Sequence, residues 1–310
     1  EIASCLVGSE MCIRDRRRPV FTLDDAGLQT LYQDLGRQGN GNLGVTTSGS
    51  TDRASARTAN AAVGNKRNAT LLENVGGLTM TALAETVICV TGADADVTVG
   101  GRPAPLATPT IVPAGAEVVV KPARLGFRTY IAVRGGLIAD TELDSAATDM
   151  LSGLGPKPLA AGDTIAMALT PPQSANSLLT NPLRVERDGA DVVGVVRCVL
   201  GPRDDWFDED AVDRFFATTF TVTGDSNRVG LRLESDAPLT RSRDGELPSE
   251  GMVAGSVQIP PSGQPVLFLR DHAVTGGYPV IATVINEDVD IAAQLPPGGK
   301  LRFERYTLEG

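Results

Sequence analysis

The chain has 310 residues, about twice the usual domain length, so one large domain or two ordinary lobes fit it. Hydrophobic residues at 42% and charged residues at 21% lie in the globular range and exclude a chain disordered throughout. A net charge of −10, with no Lys/Arg block beyond the extreme N-terminus, argues against nucleic acid and anionic membrane surfaces as partners.

Residues 1–17 follow neither a strand nor a helix period, and residues 4–16 resemble a translated sequencing adapter, so they are set aside as a non-native or disordered tail. No run approaches the ~20 apolar residues of a membrane span, and no secretory leader is recognisable, so a cytoplasmic protein is expected. The chain's 34 glycines and 20 prolines, all but Gly8 at or after Pro19, punctuate short Val, Ile, Leu and Thr runs, the pattern of strands closed by turns. The first strand is expected at 19–23. A helix follows over Asp52 to Val63, with Asp52 as its N-cap and Gly64 past its end. Further strands are expected at 86–90, 117–121, 128–133 and 195–200. A second helix spans Asp208 to Phe216 with acids in its first turn. Strands at 265–269 and 278–285 precede a weaker helical segment, Asn286 to Leu295, stopped by Pro296 and Pro297.

One turn recurs. Pro113-Ala114-Gly115-Ala116, Ala160-Ala161-Gly162-Asp163 and Pro296-Pro297-Gly298-Gly299 each lead into a strand-like run, and glycine at a fixed place permits the positive φ such a reversal needs. The Pro, Ser and Asn of residues 171–181 give the backbone no ladder to join and are read as a linker. The reading is mainly β: two β-barrel-like lobes, 18–170 and 182–310, with a few short helices, because many short strands must close or stack to protect their edges.

Outside the tail the cysteines are Cys89 and Cys198, both within strand-like runs, where a thiol behaves as a small buried hydrophobe. His272 is the single histidine, so a multi-histidine metal site is impossible, and it is read as a peripheral or partner-facing residue. Gly39 to Gly44 spells GxGxxG but opens no βαβ unit, so dinucleotide binding is not expected there.

An ordered set of motifs adds to this. Gln33 to Gly39, Ser48-Gly49 with Asp52, Asn60, Gly64-Asn65 and Leu72-Glu73 are followed by Thr91 to Asp94, Gly126 to Tyr130, Gly135-Gly136 and Ala161 to Asp163. Later come Ser226 to Leu233, Ser249 to Gly251, Gly255 to Pro260 and Thr275 to Pro279. The set resembles the family of 5-oxoprolinase C subunits, also called biotin-dependent carboxyltransferase or allophanate hydrolase subunit 2. It departs at Asp144-Ser145-Ala146-Ala147-Thr148, where relatives carry one more hydroxyl. The resemblance implies cyclophilin-like β-barrel lobes. It also implies two partners, a smaller companion subunit and a lactam-utilisation-type subunit, with which ATP, 5-oxoproline and water give glutamate, ADP and phosphate. Two other readings stay open: the carboxyltransferase module of a biotin-dependent urea or amide carboxylase, and a regulatory partner of a kinase-inhibitor protein. No Walker A sequence is present, so ATP is expected on another chain, across a subunit interface or in an unfamiliar mode; biotin enters only under the carboxylase reading.

Ring opening of a lactam requires charge stabilisation, for which arginine forks suit both phosphate and carboxylate. Among the matched arginines, Arg37 and Arg228 are the first candidates for catalysis, and Arg128 and Arg232 for substrate binding; each has a lobe-to-lobe salt bridge as its structural alternative. Proton transfer falls to Asp34 or Asp271, with Asp94 and Glu250 behind them, the alternative being carboxylates that satisfy turn N–H groups. Gln258, Thr275 and Tyr278 are expected to line a substrate pocket, the paired glycines Gly276-Gly277 allowing close backbone approach.

Overall fold

The computed structural model describes residues 17–168, 174–243 and 245–307. The tail expected at 1–17 therefore lies almost wholly outside the described residues, as do the first three residues of the linker. The first half contains β1 (Arg17–Asp25), β2 (Gln29–Gln33), α1 (Arg53–Ala62), β3 (Leu71–Val75), β4 (Leu78–Ala82), β5 (Thr86–Asp94), β6 (Val97–Val99), β7 (Arg102–Pro103), β8 (Thr110–Val112), β9 (Glu117–Val120), β10 (Leu125–Val133), β11 (Leu137–Ile138) and β12 (Thr164–Ala168). The second contains β13 (Glu186–Asp188), β14 (Asp191–Leu200), α2 (Glu209–Ala217), β15 (Thr219–Val222), β16 (Gly230–Glu234), β17 (Glu250–Gly251), β18 (Ser256–Gln258), β19 (Val266–Phe268), β20 (Thr275–Gly276), β21 (Val280–Val284), α3 (Val289–Ala292) and β22 (Lys300–Arg305). None of the described helices is long and apolar enough to cross a membrane.

Two sheets enclose the first core, one ordered β11-β12-β1-β4-β9-β6-β7 and the other β2-β3-β10-β5-β8. Period-2 alternation sends Leu78, Met80 and Ala82 of β4 inward, where they join Phe21, Ile88, Val118, Ile131 and Ile165. α1 packs on the back of the second sheet through Ala56, Ala59 and Ala62, against Leu71, Cys89, Tyr130 and Ala132. Alanine has no side chain beyond Cβ, so the helix sits close to the sheet. Asp52 caps it as the sequence predicts, accepting from the Ser55 N–H at 2.9 Å.

The second half closes. β14, β21, β18, β19, β16, β15 and β22 pair in turn, and β22 returns to β14 in parallel register, Val193 opposite Lys300 through Cys198 opposite Arg305. This ring of seven strands removes the exposed edges that short strands otherwise present. α2, capped by Asp208 through the Ala211 N–H at 2.7 Å, lays Ala211 and Phe215 into the core. Phe215 stacks on Phe303 at 4.4 Å between centroids, with Phe220 edge-on to Phe303 at 5.8 Å.

The recurring turn is a common device. Gly115, Gly162 and Gly298 have φ of 79°, 93° and 85°, and each precedes a strand, β9, β12 and β22. The weaker helical segment shrinks to α3, four residues long. Residues 174–181 carry no helix or strand but are held to the first half: the Asn181 amide donates to the Gly92 carbonyl at 2.7 Å and accepts from its N–H at 2.8 Å. Cys89 and Cys198 are free buried thiols, each pushed up to about 12 by burial.

Candidate functional site

Asn227 accepts from the Val229 N–H at 2.8 Å, a local turn that fixes the chain at Arg228 just before β16. The guanidinium of Arg228 crosses to the first half. It pairs with Glu73 on β3, donates to Thr51 Oγ1 and to the Gly49 carbonyl at 2.7 Å, and forks onto Asp271 at 2.9 and 3.0 Å. Every nitrogen of this arginine is engaged, and the side chain is 2% exposed. Burial opposes its charge, but Asp271 and Glu73 outweigh that and raise its pKa.

Glu73 is the hub. It accepts from the Thr51 N–H at 2.8 Å and the Tyr130 hydroxyl at 2.9 Å, and Arg128 Nε lies 3.6 Å away. Burial alone pushes a carboxyl up, yet Arg228 and Arg128 together hold Glu73 below the ordinary range. Arg128 also donates to the Ala293 carbonyl of the second half. Gln294 completes the seam: its carbonyl accepts from the Phe127 and Arg128 N–H groups at 3.0 and 2.9 Å, and its amide donates to Asp52 at 2.8 Å. Asp290, on α3, accepts from the Arg53 and Ala54 N–H groups, so a carboxylate of the second half covers the start of α1. Burial, then the neighbouring Asp290 charge, raises Asp52 to about 6.

Arg37 is 1% exposed and donates to the Glu142 and Ala147 carbonyls, with Asp149 at 4.0 Å. Asp34 accepts from the Gly36 N–H at 2.7 Å, the Ser145 hydroxyl at 2.7 Å and the Ala146 N–H at 2.8 Å. The divergent 144–148 stretch is therefore the wrapping of this pair. Leu143 and Asp144 there have φ of 51° and 61°, and Ser48, which donates to Asp271 at 2.6 Å, has 53°. Positive φ at non-glycine residues stores strain that only an over-determined surround maintains.

An open site lies beside this seam. A cavity of about 240 Å³ is lined from the first half by Asn40, Thr46, Thr47 and Arg53, and from the second by Met252, Arg270 and His272, among others. Among the described residues, Arg53 and Arg270 are its only charged lining residues. Arg270 is held by Asn286 at 3.0 Å and Asp290 at 3.2 Å. Arg53 reaches the Leu35 and Ser48 carbonyls at 3.4 and 3.3 Å. The Nε of both is buried with no hydrogen-bond partner. Burial and then Arg270 lower Arg53 to about 10. His272 donates from Nδ1 to the Ala273 carbonyl at 2.8 Å, which leaves Nε2 as the acceptor, and burial lowers its pKa.

The residues expected from sequence thus divide. Arg228 and Arg128 meet at Glu73, Asp271 joins them through Arg228, and Arg37 and Asp34 are locked to the 142–148 loop beside them; their observed contacts are those of salt bridges and turn carboxylates. Gln258 is buried and donates to the Tyr278 carbonyl at 3.1 Å, and a Cβ on Gly276 would stand 2.3 Å from its amide, which accounts for that glycine. Tyr278 is exposed, its ring under Arg241, and Thr275 is exposed on β20, whose partner β17 precedes Met252 of the cavity. Arg232 points to solvent from β16, Asp94 pairs with exposed Arg124, and Glu250 with Arg203, all away from the cavity lining. The Gly39 to Gly44 loop forms a 3-10 turn at Gly41–Leu43, and added Cβ atoms at Gly39, Gly41 and Gly44 would meet nothing within 4 Å. Sequence reasoning missed Arg53 and Arg270 and read His272 as peripheral. The signal available was basic residues adjoining acids, Asp52-Arg53 at a helix start and Arg270-Asp271-His272 directly after the apolar run Val266-Leu267-Phe268-Leu269.

Comparison with known proteins places this geometry. The sequence pattern described as "Carboxyltransferase domain, subdomain A and B" matches residues 43–305. The chain is similar to the 5-oxoprolinase C subunit of Escherichia coli (strain K12), at 31% identity over 92% of this chain and 90% of that protein. It is similar to the urea amidolyase of Saccharomyces cerevisiae at 28% identity, over 91% of this chain but 16% of the enzyme. The crystal structure of the K. lactis urea amidolyase superposes with a TM-score of 0.87 at 25% identity, covering 94% of this chain and 19% of that one. The chain belongs to the carboxyltransferase-domain family, subdomains A and B.

Proposed function

We propose that this chain is the C subunit of an ATP-dependent 5-oxoprolinase, working with a smaller companion subunit and a lactam-utilisation-type subunit to convert 5-oxoproline, ATP and water into glutamate, ADP and phosphate. The observation that carries the reading is the likeness along the chain: 31% identity to the Escherichia coli 5-oxoprolinase C subunit over 92% of this chain, against 28% to the Saccharomyces cerevisiae urea amidolyase over 91%. The cavity between the halves is this chain's proposed substrate-facing surface, with Gln258 at the end of β18 beneath the adjoining segment that carries Thr275 and Tyr278. Arg228, fixed by Asp271, is proposed to hold the two walls in register, and Arg37 and Asp34 to set the 142–148 loop of the first half beside it, so that positioning is inherited from the seam. His272, neutral with Nε2 free to accept, is the proton acceptor best placed on the cavity wall.

Co-expression with both partners tests this. Release of ADP that depends on 5-oxoproline is expected with all three chains, and omission of this chain is expected to abolish it. Undiminished turnover without it refutes the proposal. The carboxyl-transfer reading is favoured by the likeness to the K. lactis urea carboxylase, with a TM-score of 0.84. It predicts turnover that requires a biotinylated carrier and is blocked by avidin.

A further inference from the structure

We propose that Arg53 and Arg270 form a carboxylate-binding subsite in the cavity between the two halves, preorganised within this chain for a small organic acid. The charge of the lining is the first ground. In a protein of net charge −10, the cavity of about 240 Å³ carries two guanidinium groups and no carboxylate on its lining. In two other cavities acids outnumber bases: one carries Asp204, Asp205, Glu209 and Asp213 with Arg305, and the other Asp188, Asp191, Glu234 and Asp236 with Lys300 and Arg302.

Incomplete compensation is the second ground. Arg228, at the seam, has its nitrogens engaged by two carboxylates, a hydroxyl and a carbonyl. Arg53 and Arg270 share one carboxylate, Asp290, which meets Arg270 through its side chain and Arg53 through its backbone N–H. Each also keeps a buried Nε without a partner, although the Arg270 side chain is only 4% exposed. A half-buried Arg53 and a buried Arg270, each with an Nε unsatisfied among the described residues, are costly side by side unless an anion completes them. The lowered pKa of Arg53, owed to burial and then to Arg270, agrees with this geometry. A planar carboxylate matches the fork of a guanidinium. The cavity lies below the ~300–1,000 Å³ of drug-sized sites, which limits the ligand to a small acid. Thr46, Thr47, Asn40 and His272 Nε2 supply neutral donors and acceptors for the remainder of such a molecule, a lactam N–H and C=O being suited to them. Identifying that acid as 5-oxoproline rests on the function proposed above; the carboxylate site does not.

Calorimetric titration of the full chain tests the subsite with three probes: L-5-oxoproline, 2-pyrrolidinone, which is the same lactam without its carboxylate, and cyclopentanecarboxylate, which has no lactam. Both carboxylates are expected to bind, and 2-pyrrolidinone at least about tenfold more weakly, the loss of one charge-assisted contact. Arg53→Gln is expected to weaken both carboxylates by about tenfold or more at an unchanged melting temperature. Arg53→Lys, which keeps the charge and loses the fork, is expected to give an intermediate value and guards against a folding defect in the first variant. The proposal is overturned if no carboxylate binds, if 2-pyrrolidinone binds as tightly as 5-oxoproline, or if folded Arg53→Gln binds like the wild type. Equal binding of cyclopentanecarboxylate and 5-oxoproline upholds the subsite while removing 5-oxoproline as its particular ligand.

Discussion

Replacing Arg228 with methionine separates a structural tie from a substrate contact. Methionine fills most of the space but removes contacts to Glu73, Thr51, the Gly49 carbonyl and Asp271 together. Glu73 then keeps Arg128 at 3.6 Å as its cation, and Asp271 keeps only the Ser48 hydroxyl and the Met150 N–H among its described partners. Breaking a buried pair by deleting one partner costs about 3–5 kcal/mol, or roughly two to nearly four powers of ten in the folded-to-unfolded ratio. Urea unfolding followed by fluorescence of Trp206, the single tryptophan, reports on the second half, while far-UV circular dichroism reports on both. A clearly lower midpoint by both probes is expected, with turnover per folded molecule in the assembled complex reduced but not abolished, because the cavity walls lose a tie and not a substrate contact. An unchanged midpoint together with lost turnover would falsify the structural role and restore Arg228 as a substrate contact.

Asp52→Asn is expected to alter the pH profile of stability. Because Asp52 titrates at about 6 in the fold against 3.8 ordinarily, the native state holds a proton that the unfolded chain releases. Its contribution therefore makes stability fall as pH rises from about 4 to about 6 and then level off. Urea midpoints measured across that range should lose this slope in the variant, and retention of it sinks the argument. For His272, burial lowers the pKa below 6.5, so the imidazole C–H resonances should not titrate between pH 7 and 8, and its share of stability should be lost as pH falls through and below the unfolded value. A midpoint above 7 by NMR contradicts the buried, neutral ring.

Local features were readable because local chemistry decides them. Asp52 and Asp208 announce their helices by capping, and Gly115, Gly162 and Gly298 announce three turns because only glycine takes those φ values cheaply. The seam was not readable in the same way. Arg228 and Glu73 are 155 residues apart, and no spacing rule links a turn before one strand to the middle of another. The motif resemblance offered Arg228 as a catalytic candidate and Arg128 as a substrate-binding one but carried no information about burial, which decides between a fork offered to substrate and a fork consumed by Glu73 and Asp271. Arg53 was hidden for a related reason: as the first residue of α1 it reads as an ordinary helix-start side chain, and only the approach of Arg270 from the second half gives it a pocket. Gln294 lay in the segment read as weakly helical, yet its amide joins Asp52, Arg128 and Phe127 across the seam.

The pairing of β22 with β14 has a consequence for how the protein is made. β22 sits between β14 and β15, so it is a keystone, and its parallel partner was synthesised about a hundred residues earlier. Until residues 300–305 leave the ribosome, both flanking strands wait with bare edges, and such long-range closure is slow. A premature stop ahead of this segment leaves a nascent barrel that can still recruit a strand from a neighbouring molecule, which makes truncated translation products of this gene candidates for aggregation.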